Sequence, residues 1–297
     1  MSRGNAGADR LVVQADQRLA ERLLGLAGQR MVFFAGLPGT GKSLLVHQLA
    51  HLADREGRRV DLLQWDIARP VFEASPAGRR YPMADGVTHA VIRKAAGLWA
   101  RYAVGAWDER HAGAEHLLIG ETPFVGNRFV ELAQRLDDRA EPVLAAPSCR
   151  FVISVPSVEV RRHLEAERER RAANPLHPRE REDAPPNVLR DLWRDLAAVA
   201  RRLGIAGPGP REDGDAAPYE PAVYRSVYET ILRHRHVEVV ALDVILPTEK
   251  LSVYDYAVAP SGLAPTEQGA DDFIREVELK YPDLAALDQE IERWWVV

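Results

Sequence analysis

Cys149 is the single cysteine among 297 residues. One thiol excludes an intramolecular disulfide and a cysteine-cluster metal centre. It suits a reducing compartment, so a cytoplasmic protein is expected. Cys149 itself is read as a small packing residue rather than a nucleophile. No apolar run approaches the roughly 18 residues of a membrane span. The first ten residues, MSRGNAGADR, lack the apolar core of a secretory signal. No membrane partner is expected. An excess of positive charge is missing as well. The formal net charge is −5, whereas a protein that tracks a nucleic-acid backbone carries a basic field, so nucleic acid is not an expected partner. Lysine is scarce: of 39 basic residues, only Lys42, Lys94, Lys250 and Lys280 are lysines. A codon bias toward arginine accounts for most of this, but it makes Lys42 stand out.

What is present fits a globular chain long enough for one large domain or two small ones. Apolar spacing predicts a helix over 15–28, placed outside the main sheet. MVFFA, 31–35, is all apolar and suits a strand covered on both faces. A helix is expected over 42–55 and a strand over 59–65. The Pro-, Gly- and Arg-rich segment 67–85 reads as loop. Further helices are expected at 86–107, 126–138, 157–172, 187–204 and 220–234, with strands at 116–120, 150–155 and 236–244. Polar breaks fall at 174–186 and 206–218, and two more helices near 270–279 and 283–293. No internal repeat is found. Strand and helix alternate through five strands, which predicts a mainly parallel five-stranded sheet in a three-layer α/β/α fold. The expected organisation is a helical leader over 1–29, a core over 30–247 and a C-terminal extension over 248–297 packed on it.

Between the first strand and its helix lies Gly36-Leu37-Pro38-Gly39-Thr40-Gly41-Lys42-Ser43, followed by Leu44. The octet matches G-x-x-x-x-G-K-[ST]. Chance alone gives that pattern in roughly one chain in a hundred of this length, so the strand before it and the helix after it carry the assignment. Glycines let backbone amides curl around an anion, and the helix start adds a positive end. Lys42 can reach β- and γ-phosphates, and Ser43 can give an oxygen to Mg²⁺. Residues 36–44 are thus the expected nucleotide-binding segment.

This stretch resembles the P-loop nucleotide-binding superfamily, with a likeness in topology over about 31–245. The N-K-x-D motif of the GTPases, the L-S-G-G-Q signature of the transporter ATPases and the acidic pair of the ring-forming ATPases are missing. The remaining features resemble the small-molecule and nucleotide kinases. Asp66 follows the second strand, where that resemblance implies a carboxylate that takes or orients the acceptor's proton; the plainer alternative is a turn cap. Glu121 follows LLIG, where a carboxylate would help hold Mg²⁺; the alternative is a helix-capping or surface Glu. An Arg-rich segment over 157–190 resembles a kinase lid, which neutralises charge and excludes water. Among its arginines, Arg168 and Arg171 are favoured because their spacing puts them on one helix face. An ordinary solvated helix has the same i,i+4 charge pairs.

Around Asp66, the arginines Arg69 and Arg93 suit an anionic acceptor. Arg79, Arg80, Tyr81, His89 and Trp65 lie in the same stretch, and Asn127 and Arg128 follow Glu121. The expected catalytic set is Lys42, Asp66, Glu121, Arg168 and Arg171. The expected metal seat is Ser43 with Glu121, and the expected acceptor contacts are Asp66, Arg69 and Arg93. The reading is an ATP- and Mg²⁺-dependent kinase of a small-molecule or nucleotide-like acceptor. A plain nucleotide hydrolase and a nucleotide-dependent regulatory protein stay open, as do oligomeric state and the acceptor's identity.

Overall fold

The computed structural model describes residues 11–84, 86–181, 185–205, 207, 218–248, 252–256 and 261–297. The first ten residues of the expected leader lie outside them, as do parts of the breaks at 174–186 and 206–218 and of the C-terminal extension.

Asp16 opens the first helix, α1 (Gln17–Ala27), by accepting from the amides of Arg18 and Leu19, which satisfies donors that a helix start leaves orphaned. Leu19, Leu23 and Leu26 give it a buried stripe. Then come β1 (Met31–Ala35), α2 (Lys42–Arg55), β2 (Arg59–Gln64), α3 (Trp65–Ala74), α4 (Ala90–Arg110) and β3 (His116–Thr122). They are followed by α5 (Glu141–Leu144), β4 (Cys149–Pro156), α6 (Val158–Ala173), α7 (Pro186–Arg202), α8 (Pro221–Ile231), β5 (Val237–Leu242), β6 (Ser261–Leu263), α9 (Glu267–Lys280) and α10 (Leu284–Glu292).

The strands form one sheet in the order β5-β4-β1-β3-β2-β6, and every pairing is parallel. All five residues of β1 are buried, as a central strand covered on both faces requires. Met31, Phe33 and Ala35 enter one apolar core, which holds side chains of α3, α4, α7, α8, α9 and α10. Val32 and Phe34 enter a second core with α1 and α2. The period-two alternation of a strand thus feeds two cores at once. Because β1 lies between β3 and β4, the loops leaving these three strands open at the same edge of the sheet.

Three expectations need correction. The sheet has six strands, not five. β6 is only Ser261–Leu263, too short for alternation to register, and it pairs with β2 through Asp61–Leu63. The loop expected at 67–85 is helical in its first part, since α3 begins at Trp65 and runs through Pro70. Burial of Trp65, Ala68 and Phe72 outweighs the proline's missing donor. The helix expected at 126–138 is absent. In its place a loop carries positive φ at Phe124, Gly126, Asn127 and Phe129, followed by a 3-10 turn at Val130–Leu132.

Candidate active site

The loop between β1 and α2 is fixed by steric fit. Gly36 has φ +151°, and a Cβ there would stand 2.1 Å from the Tyr224 hydroxyl. Gly41, the N-cap of α2, sits in the left-handed region at φ +81°, where a residue with a Cβ is strained. Above the loop lies α7, whose Leu189 would be 3.0 Å from a Cβ on Gly39. Thr40 Oγ1 donates to the Leu37 carbonyl at 2.9 Å. The Gly36 amide donates to Thr122 O at 3.3 Å, tying the loop to the end of β3.

Lys42 is 4% exposed, and its ammonium donates to the Leu37 carbonyl at 2.8 Å. It stands 3.7 Å from Glu121 Oε1. Burial lowers the Lys42 pKa, helped by Arg168 and Arg161 and opposed by Glu121 and Asp66. The Ser43 hydroxyl donates to Glu121 at 3.2 Å. Hydroxyl and carboxylate therefore offer two hard oxygen donors side by side, the donor set Mg²⁺ favours.

Asp66 lies in the first turn of α3. Water reaches it, yet protein crowds the carboxyl enough for burial to raise its pKa. Glu121 raises it further, while Arg69, Arg128 and Lys42 pull it down. These four charges act on Asp66 at the carboxyl-end edge of the sheet.

The lid-like segment reaches the loop through Arg161. This side chain is 2% exposed and its Nη1 donates to the carbonyls of Pro38 and Gly39, each at 3.2 Å. Glu165 accepts from its Nε at 2.6 Å. Arg168, on the same helix, is close enough to Lys42 to depress its pKa. Arg171 pairs with Glu167 at 3.5 Å and Glu180 at 3.3 Å. Of the two favoured arginines, the fold brings Arg168 toward Lys42 and engages Arg171 within the segment's own ion pairs.

On the acceptor side, Arg69 pairs with Glu73 at 3.3 Å while its charge acts on Asp66 and Arg128. Arg93 donates to the Gly126 carbonyl at 2.9 Å. Its pKa is lowered first by burial and then by Arg128, with Asp288 opposing. Arg128 is carried by the strained loop. The Phe124 amide donates to Arg128 O at 3.0 Å and the Arg128 amide to Phe124 O at 3.2 Å. Three non-glycine residues at positive φ, Phe124, Asn127 and Phe129, cost roughly 1–3 kcal/mol each, and strain of this kind gathers at functional sites. Buried Phe124 and Phe129 and the Asn127–Glu131 hydrogen bond of 3.2 Å hold the loop against it. Burial lowers the Arg128 pKa, Asp66 opposes, and Arg69 adds to the lowering.

Other residues of the stretch turn elsewhere. Arg80 and Tyr81 meet Glu278 of α9 at 2.7 and 2.6 Å. His89 caps α4, its Nδ1 accepting from the Val91 amide at 3.2 Å. Trp65 packs edge-on to Phe129 at 5.4 Å in the core. The weight of Arg161 and Arg128 was not legible from charge spacing. A signal existed for the second: Gly126-Asn127 are the residue types that tolerate left-handed φ, and they argue against a helix there.

The described residues include no helix long and apolar enough to cross a membrane. No protein family, curated protein or solved structure matches the chain.

Proposed function

We propose that this chain is an ATP- and Mg²⁺-dependent phosphotransferase of the P-loop type, with a three-layer α/β/α core, acting on a small-molecule or nucleotide-like acceptor. The observation that carries the reading is Asp66. Its carboxyl interacts electrostatically with Lys42, Glu121, Arg69 and Arg128, just beyond the end of β2 and beside the Gly36–Ser43 loop.

In this reading the amides of 36–43 and Lys42 bind the phosphates, and Lys42 exchanges its Leu37 carbonyl for a phosphate oxygen. Ser43 and Glu121 would hold Mg²⁺, whose charge offsets that of the phosphates. Asp66 accepts the proton of the acceptor hydroxyl. A carboxyl whose pKa is raised is a stronger base than an ordinary aspartate and suits that work. Arg161 braces the loop from behind, and Arg168 sits where charge spreads during transfer. ATP is favoured over GTP because the guanine-reading motif is missing.

The test is incubation with ATP, Mg²⁺ and a metabolite extract, read by mass spectrometry, with Lys42→Ala and Asp66→Asn alongside. The expected result is a new phosphorylated metabolite from the wild type and from neither variant, with Asp66→Asn still binding nucleotide. Release of free phosphate alone, equal in Asp66→Asn, would sink the transferase reading in favour of hydrolysis assisted by Glu121.

A further inference from the structure

At the opposite end of the sheet, three side chains meet that phosphoryl transfer does not use. Asp61 lies on β2, His116 opens β3, and His111 follows the last residue of α4. Arg59 pairs with His116 and Asp61 with Leu118, and the short connection 111–115 folds His111 over that pair. One donor atom from each of the three lies within 4.8 Å of the others. The two imidazole centroids are 4.4 Å apart.

We propose that Asp61, His111 and His116 form a binding site for a divalent transition-metal ion, with zinc the best match and water completing the coordination. Two imidazoles and a carboxylate are a zinc-type donor set, whereas Mg²⁺ and Ca²⁺ prefer oxygen alone.

The surroundings support it ligand by ligand. His111 Nδ1 contacts the Trp107 carbonyl at 2.8 Å; with its proton there, the lone pair stands on Nε2. Asp61 Oδ2 accepts from Trp107 Nε1 at 2.8 Å, and Trp107 is fully buried. One fixed indole residue thus orients two of the three ligands. His116 Nδ1 is buried with no hydrogen-bond partner, while its Nε2 faces Glu115 at 3.8 Å. A carbonyl orienting His111 and an N–H donor orienting Asp61 are the usual outer arrangement of a metal centre.

Zinc bonds of about 2.0–2.1 Å put tetrahedral ligand atoms roughly 3.4 Å apart, so the trio must close by up to about 1.4 Å. His111, half-buried on a connection, can make that shift. Arg58 donates to the His116 carbonyl at 2.6 Å, and Arg30 to the His111 carbonyl and to Asp108. These guanidiniums fix the backbone but oppose a cation, so the site is one of moderate affinity. The five steps along the strand from His116 to Glu121 span about 17 Å at ~3.3 Å each. The ion is therefore separate from the Mg²⁺ seat, and the proposal stands apart from the phosphotransferase reading.

The test uses the full chain, stripped of metal and without nucleotide, titrated with Co²⁺ by visible absorption and with Zn²⁺ by calorimetry. One ion per chain is expected, with a tetrahedral Co²⁺ spectrum that Zn²⁺ abolishes and a thermal midpoint that rises with Zn²⁺. His111→Ala and His116→Asn should each weaken binding at least tenfold, while Ser43→Ala, at the far end of the sheet, leaves it unchanged. His111→Ala lies on a connection and keeps the test open if His116→Asn fails to fold. Absence of a bound ion at millimolar Zn²⁺ overturns the proposal, as does binding that survives His111→Ala or is lost in Ser43→Ala.

Discussion

Replacing Lys94 by Met keeps the length of the side chain and removes its charge. Lys94 is 3% exposed and Glu131 is 0% exposed, and the two are paired at 3.0 Å. Burial alone would lower the Lys94 pKa, but Glu131 and Glu290 outweigh it and hold the ammonium well above the usual lysine range. Glu131 Oε1 also accepts from Asn127, while Oε2 is buried with no hydrogen-bond partner. Without Lys94 the carboxylate keeps one amide donor and no countercharge. Removing one member of a buried pair costs about 3–5 kcal/mol. At about 2–4 °C per kcal/mol for larger domains, the thermal midpoint should fall by roughly 6–20 °C. Differential scanning calorimetry reads it. The double variant Lys94→Met/Glu131→Gln removes both charges yet leaves Asn127 an acceptor, and it should recover most of the loss. A cost below about 1 kcal/mol, as exposed pairs give, would refute the reasoning, and so would a double variant no more stable than the single one.

Two further predictions concern buried titratable groups. His47 is 8% exposed, and its pKa is lowered to about 4, first by burial and then by His51 and Arg179. A folded pKa below the unfolded value means stability present above about pH 6.5 is lost as pH falls toward 4, by up to about 3 kcal/mol. Urea midpoints between pH 8 and 4 should show that slope, and His47→Gln should flatten it; an equally steep slope in the variant rejects the assignment. Cys149 is 1% exposed, and burial pushes its thiol up to about 12. An aromatic disulfide reagent at pH 8 should label it only as the chain unfolds, one thiol per chain in urea. Rapid labelling of the native protein would show that β4 is more open than the packing implies.

The α/β class and the central strands were legible because local signals and tertiary packing agreed. MVFFA is apolar at every position and its burial is complete. Agreement of this kind is what lets a local reading reach the fold. Where the signals conflicted, the reading followed the wrong one. Pro70, Gly78 and Arg79–Arg80 pointed to a loop, yet Trp65, Ala68 and Phe72 are spaced to bury one helical face, and burial won. A structureless stretch of that length inside a compact core was itself a warning. The segment 126–138 failed in the opposite sense: its apolar spacing was helical, but Gly126 and Asn127 took left-handed backbone instead.

The candidate site divides along the same line. Residues fixed by their chain neighbours, Gly36 to Ser43 and Asp66 just past strand ends, could be placed from order alone, because a parallel sheet gathers successive strand ends on one edge; Glu121, expected just past its strand, is instead the last but one residue of β3. Residues whose position depends on distant packing could not be ranked. Arg161 differs from Arg168 and Arg171 in touching Pro38 and Gly39, and no spacing rule separates the three. The same geometry has a second consequence. A parallel sheet gathers strand beginnings as surely as strand ends, and at that edge Asp61, His111 and His116 come together around Trp107. Fifty residues separate Asp61 from His111 in the chain, so no motif window spans them. What joins them is the β2–β3 pairing, and a reading that looked only at the carboxyl edge had no reason to look there.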